Sequence, residues 1–238
     1  MSVDVSKPGA SVPVHRVRFV DWSPSAITAL ALSPVAWTES AAAGRSVLAI
    51  GRDNGNIDLC TWCEGQSGSI AQGWSPVWTL LGEENYKIES LAFTASASHL
   101  RLFSTSGGSI VSEHFLPSSL TGQQAADTRT PTRTLSSHGG AIWSMAASPT
   151  GKFLAIGCED GVVRLIDVAG DAFEHVGTGM HVAPRMTRVA SRILSLAWGP
   201  PRRQMATSSD SDDDNDEAWR DTYLLGGLGN STAAVWDV

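Results

Sequence analysis

One short segment recurs four times along this 238-residue chain, and that recurrence constrains the fold more than any other feature. It reads Ile27-Thr-Ala-Leu-Ala-Leu-Ser-Pro34, Ile88-Glu-Ser-Leu-Ala-Phe-Thr-Ala95, Ile142-Trp-Ser-Met-Ala-Ala-Ser-Pro149 and Ile193-Leu-Ser-Leu-Ala-Trp-Gly-Pro200. The template is Ile-x-(Ala/Ser)-(Leu/Met)-Ala, then a variable residue, a small residue and usually proline. Side chains of a strand alternate between its two faces. Small residues at every second position suit a strand where sheets crowd together, and large residues on the other parity fill the space between sheets. The proline ends the strand where no ladder donor is needed.

Each copy leads into the same sequence of further elements. A buried strand follows at Val47–Gly51, Leu100–Ser104, Phe153–Gly157 and Tyr223–Gly227. Next comes a turn, at Asp53-Asn-Gly55, Ser106-Gly-Gly108, Asp160-Gly161 and Asn230-Ser231, built from residues that tolerate positive φ. A third strand is expected at Asn56–Cys60, Ser109–Glu113, Val162–Ile166 and Thr232–Trp236. A weaker outer strand is expected at Pro76–Leu80, Thr132–Leu135 and Ala172–Val176.

Four short strands per unit, repeating every 51 to 61 residues, are the signature of β-propeller blades. Trp236-Asp237 is the WD dipeptide, Asp167 closes the corresponding third-blade strand, and Ser137-His138 stands where Gly-His usually does. Cys60-Thr61 and Glu113-His114 depart from the dipeptide. The expected fold is all-β, a WD-repeat propeller of about four blades. The blades span about 24–82, 86–136, 138–178 and 190–238, the last incomplete, after a disordered tail over 1–13. Residues Val14–Phe19 read as an outer strand without a blade of its own. That strand either closes a four-bladed ring or leaves the chain as the N-terminal part of a larger propeller; the second reading is preferred, because four blades is the lower end of the range.

Composition narrows the function. The formal net charge is -7, from 24 acidic and 17 basic residues, which argues against a general nucleic-acid coat. Residues 201–221 hold seven acidic and three basic residues, so -4 of that charge sits in one insertion, and local basic patches remain open. The insertion reads as a disordered acidic loop within blade four. Ser209 and Ser211 each have an acidic residue three positions on, the pattern acidophilic kinases prefer. Three cysteines make no disulfide framework, and no apolar run reaches 18 residues or forms a leader, so a reducing intracellular setting is expected.

The strings Val14–Phe19 with Pro24-Ser-Ala-Ile27, Ile142–Pro149 with Gly157-Cys-Glu-Asp-Gly161, and Ser191–Trp198 go beyond the generic blade template. In these the chain resembles the cirhin family, the WD-repeat subunit of the t-Utp (UtpA) subcomplex of the small-subunit processome. The resemblance implies a nucleolar, hence nuclear, scaffold of early small-subunit ribosome assembly. It implies partners among other WD-repeat subunits and the 5′ external transcribed spacer of pre-ribosomal RNA. A generic WD-repeat adaptor in another intracellular pathway is the alternative.

Candidate chemistry is sparse. No nucleophile elbow, Walker loop, HExxH or paired-carboxylate motif is present, so no enzyme, cofactor, small-molecule substrate or membrane partner is expected. Cys60-Thr-Trp-Cys63 has metal-ligand spacing but no second pair, and reads as structural. His138 and Asp160 are candidates for the hydrogen-bond network that ties a blade's loop to its turn. Two basic clusters are candidate RNA or partner contacts. One contains Arg16 and Arg18 on a single strand face, near Lys7 and His15. The other contains Arg185, Arg188 and Arg192, near His181, in the connection into blade four, with no aromatic partner evident in the sequence.

Overall fold

The computed structural model describes residues 25–34, 46–63, 73–82, 86–95, 100–116, 133–177, 186–203 and 219–238. All regular structure among them is β. The first sheet runs in order β1 (Ile27–Leu32), β2 (Val47–Arg52), β3 (Ile57–Cys63), β4 (Gly73–Leu80). The second is β5 (Ser90–Ala95), β6 (Leu100–Thr105), β7 (Ile110–Phe115), β8 (Arg133–Ser136). The third is β9 (Ile142–Ala147), β10 (Phe153–Cys158), β11 (Val163–Asp167), β12 (Glu174–His175). The fourth holds β13 (Ile193–Trp198), β16 (Tyr223–Leu228) and β17 (Ala233–Asp237), and a small ribbon pairs β14 (Arg202–Arg203) with β15 (Trp219–Arg220). Every pairing is antiparallel, so each sheet is a simple meander. Three four-stranded meanders and one three-stranded meander, stacked in order, make the chain a WD-repeat β-propeller arc.

The recurring segment is the innermost strand of each sheet. β1, β5, β9 and β13 lie side by side in chain order, and no comparable packing joins β13 to β1 among the described residues. The template residues explain the stacking. A Cβ on Gly51 would stand 2.6 Å from the Ile88 side chain, and one on Gly157 would stand 2.7 Å from that of Ile193. At these two junctions the leading isoleucine of one blade occupies space left by a glycine in the blade before it, whereas the second sheet ends its matching strand in Ser104-Thr105. Three apolar clusters fill the gaps between successive sheets. Leu59, Leu91 and Leu102 belong to the first. Phe103, Ile156 and Ile166 belong to the second, and Leu165, Ile193, Leu224 and Trp236 to the third.

Two segments differ from expectation. The outer strand of the third sheet is two residues, Glu174–His175, rather than 172–176. The carbonyls of Asp171 and Ala172 are taken by Arg133 and Arg101 of the second sheet and do not join the ladder. The insertion expected to be disordered over 201–221 has paired ends, with Arg202 opposite Arg220 and Arg203 opposite Trp219. The expected strand at 14–19 lies outside the described residues.

Candidate functional site

The third and fourth sheets bring the charged candidates together at one end of the arc. Trp143 is the second residue of β9, Glu159 follows β10, and Arg192 immediately precedes β13. The Arg192 guanidinium lies over the Trp143 ring, 4.9 Å from its centroid, and the indole N–H donates to the Glu159 carboxylate. Trp143 remains 39% exposed. Arg188 is also exposed on this rim. The aromatic partner that the sequence did not reveal for the second basic cluster is thus Trp143, supplied by the neighbouring blade. Arg185 lies outside the described residues, as do Arg16, Arg18, Ser209 and Ser211.

Beside this rim, Arg164 does the tying expected of His138 and Asp160. Its Nη1 and Nη2 donate to both Asp160 carboxylate oxygens at 3.1 and 2.7 Å, and Nη2 also donates to the His138 carbonyl at 3.2 Å. Hydrogen bonds from Arg164 hold the Asp160 carboxyl below the ordinary range, against the opposing effect of burial; the Val162 N–H and the charges of Arg164 and Arg188 add to the shift. His138 contributes its backbone rather than its ring. The residue adopts φ 54°, and its ring faces that of His175 at 5.2 Å between centroids. A Cβ on Gly139 would stand 2.2 Å from Arg164 Nη1, so any side chain there must displace the guanidinium.

The remaining motif residues sit apart from the rim. The Asp167 carboxylate accepts from Ala169 N–H at 2.9 Å, closing the turn after β11. Trp236 is buried in the third cluster and donates its indole N–H to the Thr187 carbonyl at 3.2 Å. Asp237 is exposed and lies opposite Tyr223. Cys60 and Cys158 are buried, and burial pushes both thiols up. Among the described residues no group of three or more His, Cys, Asp or Glu gathers in a way that would hold a metal.

One serine–histidine contact exists within the second sheet, where Ser104 Oγ and His114 Nε2 lie 2.9 Å apart. Ser104 is 4% exposed, and burial lowers the His114 pKa to about 4, with Glu113 opposing. The serine lies inside the blade, and the histidine is partly exposed. The other feature that sequence reasoning missed is a buried charge cluster between sheets two and three. Arg101 and Glu113 are both fully buried and paired, and Glu113 also accepts from Arg133 Nε at 2.6 Å. Arg101 was legible only as an arginine interrupting the apolar run Leu100–Phe103.

The WD domain, G-beta repeat family matches residues 129–167, the segment that contains β8 to β11. The chain is 30% identical over 224 residues to the U3 small nucleolar RNA-associated protein 4 of Saccharomyces cerevisiae, covering 94% of this chain and 23% of that protein. It is 31% identical over 226 residues to the Schizosaccharomyces pombe protein of the same name, covering 94% and 26%. A human homolog is 30% identical over 196 residues. The chain spans about a quarter of the length of these relatives. Among solved structures, a chain of the Chaetomium thermophilum Polycomb Repressive Complex 2 superposes with a TM-score of 0.60 at 15% identity. That match covers 92% of this chain and 41% of that one, and it speaks to the fold alone.

Proposed function

We propose that this chain belongs with the U3 small nucleolar RNA-associated protein 4 relatives, the cirhin family, and acts as a non-catalytic scaffold in early small-subunit ribosome assembly. The observation that carries the reading is a similarity extending over 94% of the chain, rather than over one repeat. The geometry is consistent with a docking role. The exposed charged chemistry lies in loops and rims, while the serine of the described serine–histidine contact is buried. On this reading the protein resides in the nucleolus and binds other WD-repeat subunits of a t-Utp-like complex. It also contacts the 5′ external transcribed spacer of pre-ribosomal RNA.

The Arg188/Arg192 rim is the proposed contact on this side of the arc, with Arg185 adjoining it in sequence. A guanidinium stacked on an indole is held flat, with its plane oriented, and such a fork suits a phosphate. In cells, the tagged protein should recover early pre-ribosomal RNA and nucleolar WD-repeat proteins. In vitro, Arg188→Ala/Arg192→Ala should flatten the salt dependence of RNA binding by about 1.4, at about 0.7 per lost phosphate contact on a single strand. Recovery of neither RNA nor nucleolar partners would sink the scaffold reading and favour an adaptor in another pathway. An unaltered salt slope would remove this rim from the RNA surface.

A further inference from the structure

We infer that the paired ends of the acidic insertion form a second contact element, one that grips a single strand of RNA. β14 and β15 contribute two residues each, and three of the four are arginine. Arg202 stands directly opposite Arg220, and Arg203 opposite Trp219. Directly opposed residues of an antiparallel pair share a face, and like charges placed so weaken the pairing. An anionic ligand would relieve the repulsion.

Among the described residues, the Arg202 and Arg220 charges have no acidic partner. Asp221, the adjacent carboxylate, is 4% exposed and turned inward, accepting from the Thr150 hydroxyl and backbone N–H. Arg202 instead lies over the Tyr223 ring at 4.8 Å, which orients the guanidinium without neutralising it. On the other face, Trp219 is 52% exposed beside Arg203.

Paired guanidinium forks match phosphate oxygens, and an open indole matches the face of an unstacked base. A duplex keeps its bases stacked and out of reach of such a ring. An acidic peptide would engage the charges but leave the indole unused. The combination therefore selects a single nucleic-acid strand passing over both faces of the ribbon. The inference rests on the reading of the chain as an RNA-contacting scaffold, but it uses different residues at a different place. Arg192 precedes β13 and Arg202 follows it, so a six-residue strand separates the two elements by about 20 Å.

The test is fluorescence anisotropy of the whole chain with a short labelled single-stranded RNA and with its duplex, across a salt series. Arg202→Ala/Arg220→Ala should flatten the salt slope by about 1.4. Trp219→Ala should weaken binding by about 5- to 150-fold, with Trp219→Phe restoring most of the loss. Arg202→Lys/Arg220→Lys should keep the slope while lowering affinity, because a lysine presents a point charge rather than a fork. Circular-dichroism melts that match the parent establish that each variant folds. Unchanged slope and affinity in the ribbon variants overturn the inference. So does displacement of the RNA by polyglutamate with equal effect on the parent and on Trp219→Ala, which would mark an acidic-peptide site. If Arg188→Ala/Arg192→Ala weakens RNA binding and the ribbon variants do not, this inference falls and the scaffold reading stands. If the ribbon binds RNA in vitro while the cellular protein recovers no pre-ribosomal RNA, the reverse holds.

Discussion

Replacing Arg101 by methionine tests how two blades of the arc are locked together. The Arg101 guanidinium is fully buried, yet each of its three nitrogens has a partner. It pairs with the Glu113 carboxylate, and it donates to the carbonyls of Val168, Gly170 and Ala172, between β11 and β12, at 2.7, 2.8 and 2.7 Å. Arg133 holds the same carboxylate and reaches the Asp171 carbonyl at 2.9 Å. Two arginines from the second sheet thus clasp the turn that follows β11. The cluster carries one more positive than negative charge. The surplus is met by the carbonyl dipoles and by the Phe103 and Phe173 rings at 5.1 and 5.4 Å.

Arg101→Met keeps most of the volume and removes the donors. Removing one partner of a buried pair costs about 3–5 kcal/mol. An independent count agrees, since three carbonyls each lose a hydrogen bond worth about 1 kcal/mol net. For a chain of this length each kcal/mol shifts Tm by about 2–4 °C, so the expected drop is about 6–20 °C. Thermal melts followed by circular dichroism measure it. The double variant Arg101→Met/Glu113→Leu should be less destabilised than the sum of the two single variants, because neither charge is then left buried without its partner. A drop of less than about 2 °C for Arg101→Met, or strict additivity in the double variant, would falsify the claim that the clasp holds blades two and three together.

Three further outcomes follow from the same geometry. His114 has a folded pKa of about 4, against about 6.5 in an unfolded chain, so the folded state binds its proton less readily. Its contribution to stability is intact above about pH 6.5 and is lost as the pH falls toward 4, amounting to roughly 3 kcal/mol by the linkage relation. His114→Asn should flatten the Tm profile across that window; an equally steep profile in the variant would place the acid sensitivity elsewhere. Gly139→Ala should cost about 1–2 kcal/mol in a denaturant titration, because its Cβ would displace Arg164 from Asp160 and those half-exposed charges are screened. Cys60 and Cys158, buried and with raised thiol pKa values, should react with a maleimide only after denaturant is added, and rapid native labelling of both would contradict their placement.

The propeller was readable because its rules act locally and repeat. Ile88 presses on Gly51 and Ile193 on Gly157, so isoleucine and glycine return at matching positions at two of the three junctions, and the second sheet carries Ser104-Thr105 instead. Features set by contacts between blades were not readable in this way. The outer strand of the third sheet shortens because a guanidinium 71 residues away takes the Ala172 carbonyl. Trp143 gives no sign in the sequence that Arg192 will lie on it. Arg164 looks like an ordinary outward residue of Val162–Ile166 until the turn at Gly161, with φ 75°, brings Asp160 beneath it.

The repeat also says which exposed surfaces are interior in kind. Leu91 of β5 and Met145 of β9 occupy the same template position and are buried against the preceding sheet, whereas Leu30 of β1, at that position, is 60% exposed. On the opposite side, Ala49 pairs with Leu59 and Ala155 with Leu165, and all four are buried against the following sheet. The corresponding pair in the fourth sheet is Leu225 with Val235, and Val235 is 64% exposed. Burying apolar area is worth about 25 cal/mol per Å², so these positions are stabilising in the inner sheets and idle at the two ends. A blade's two faces are encoded alike whether or not a described neighbour covers them. The first and fourth sheets therefore present faces of the kind that a neighbouring blade covers in the inner sheets.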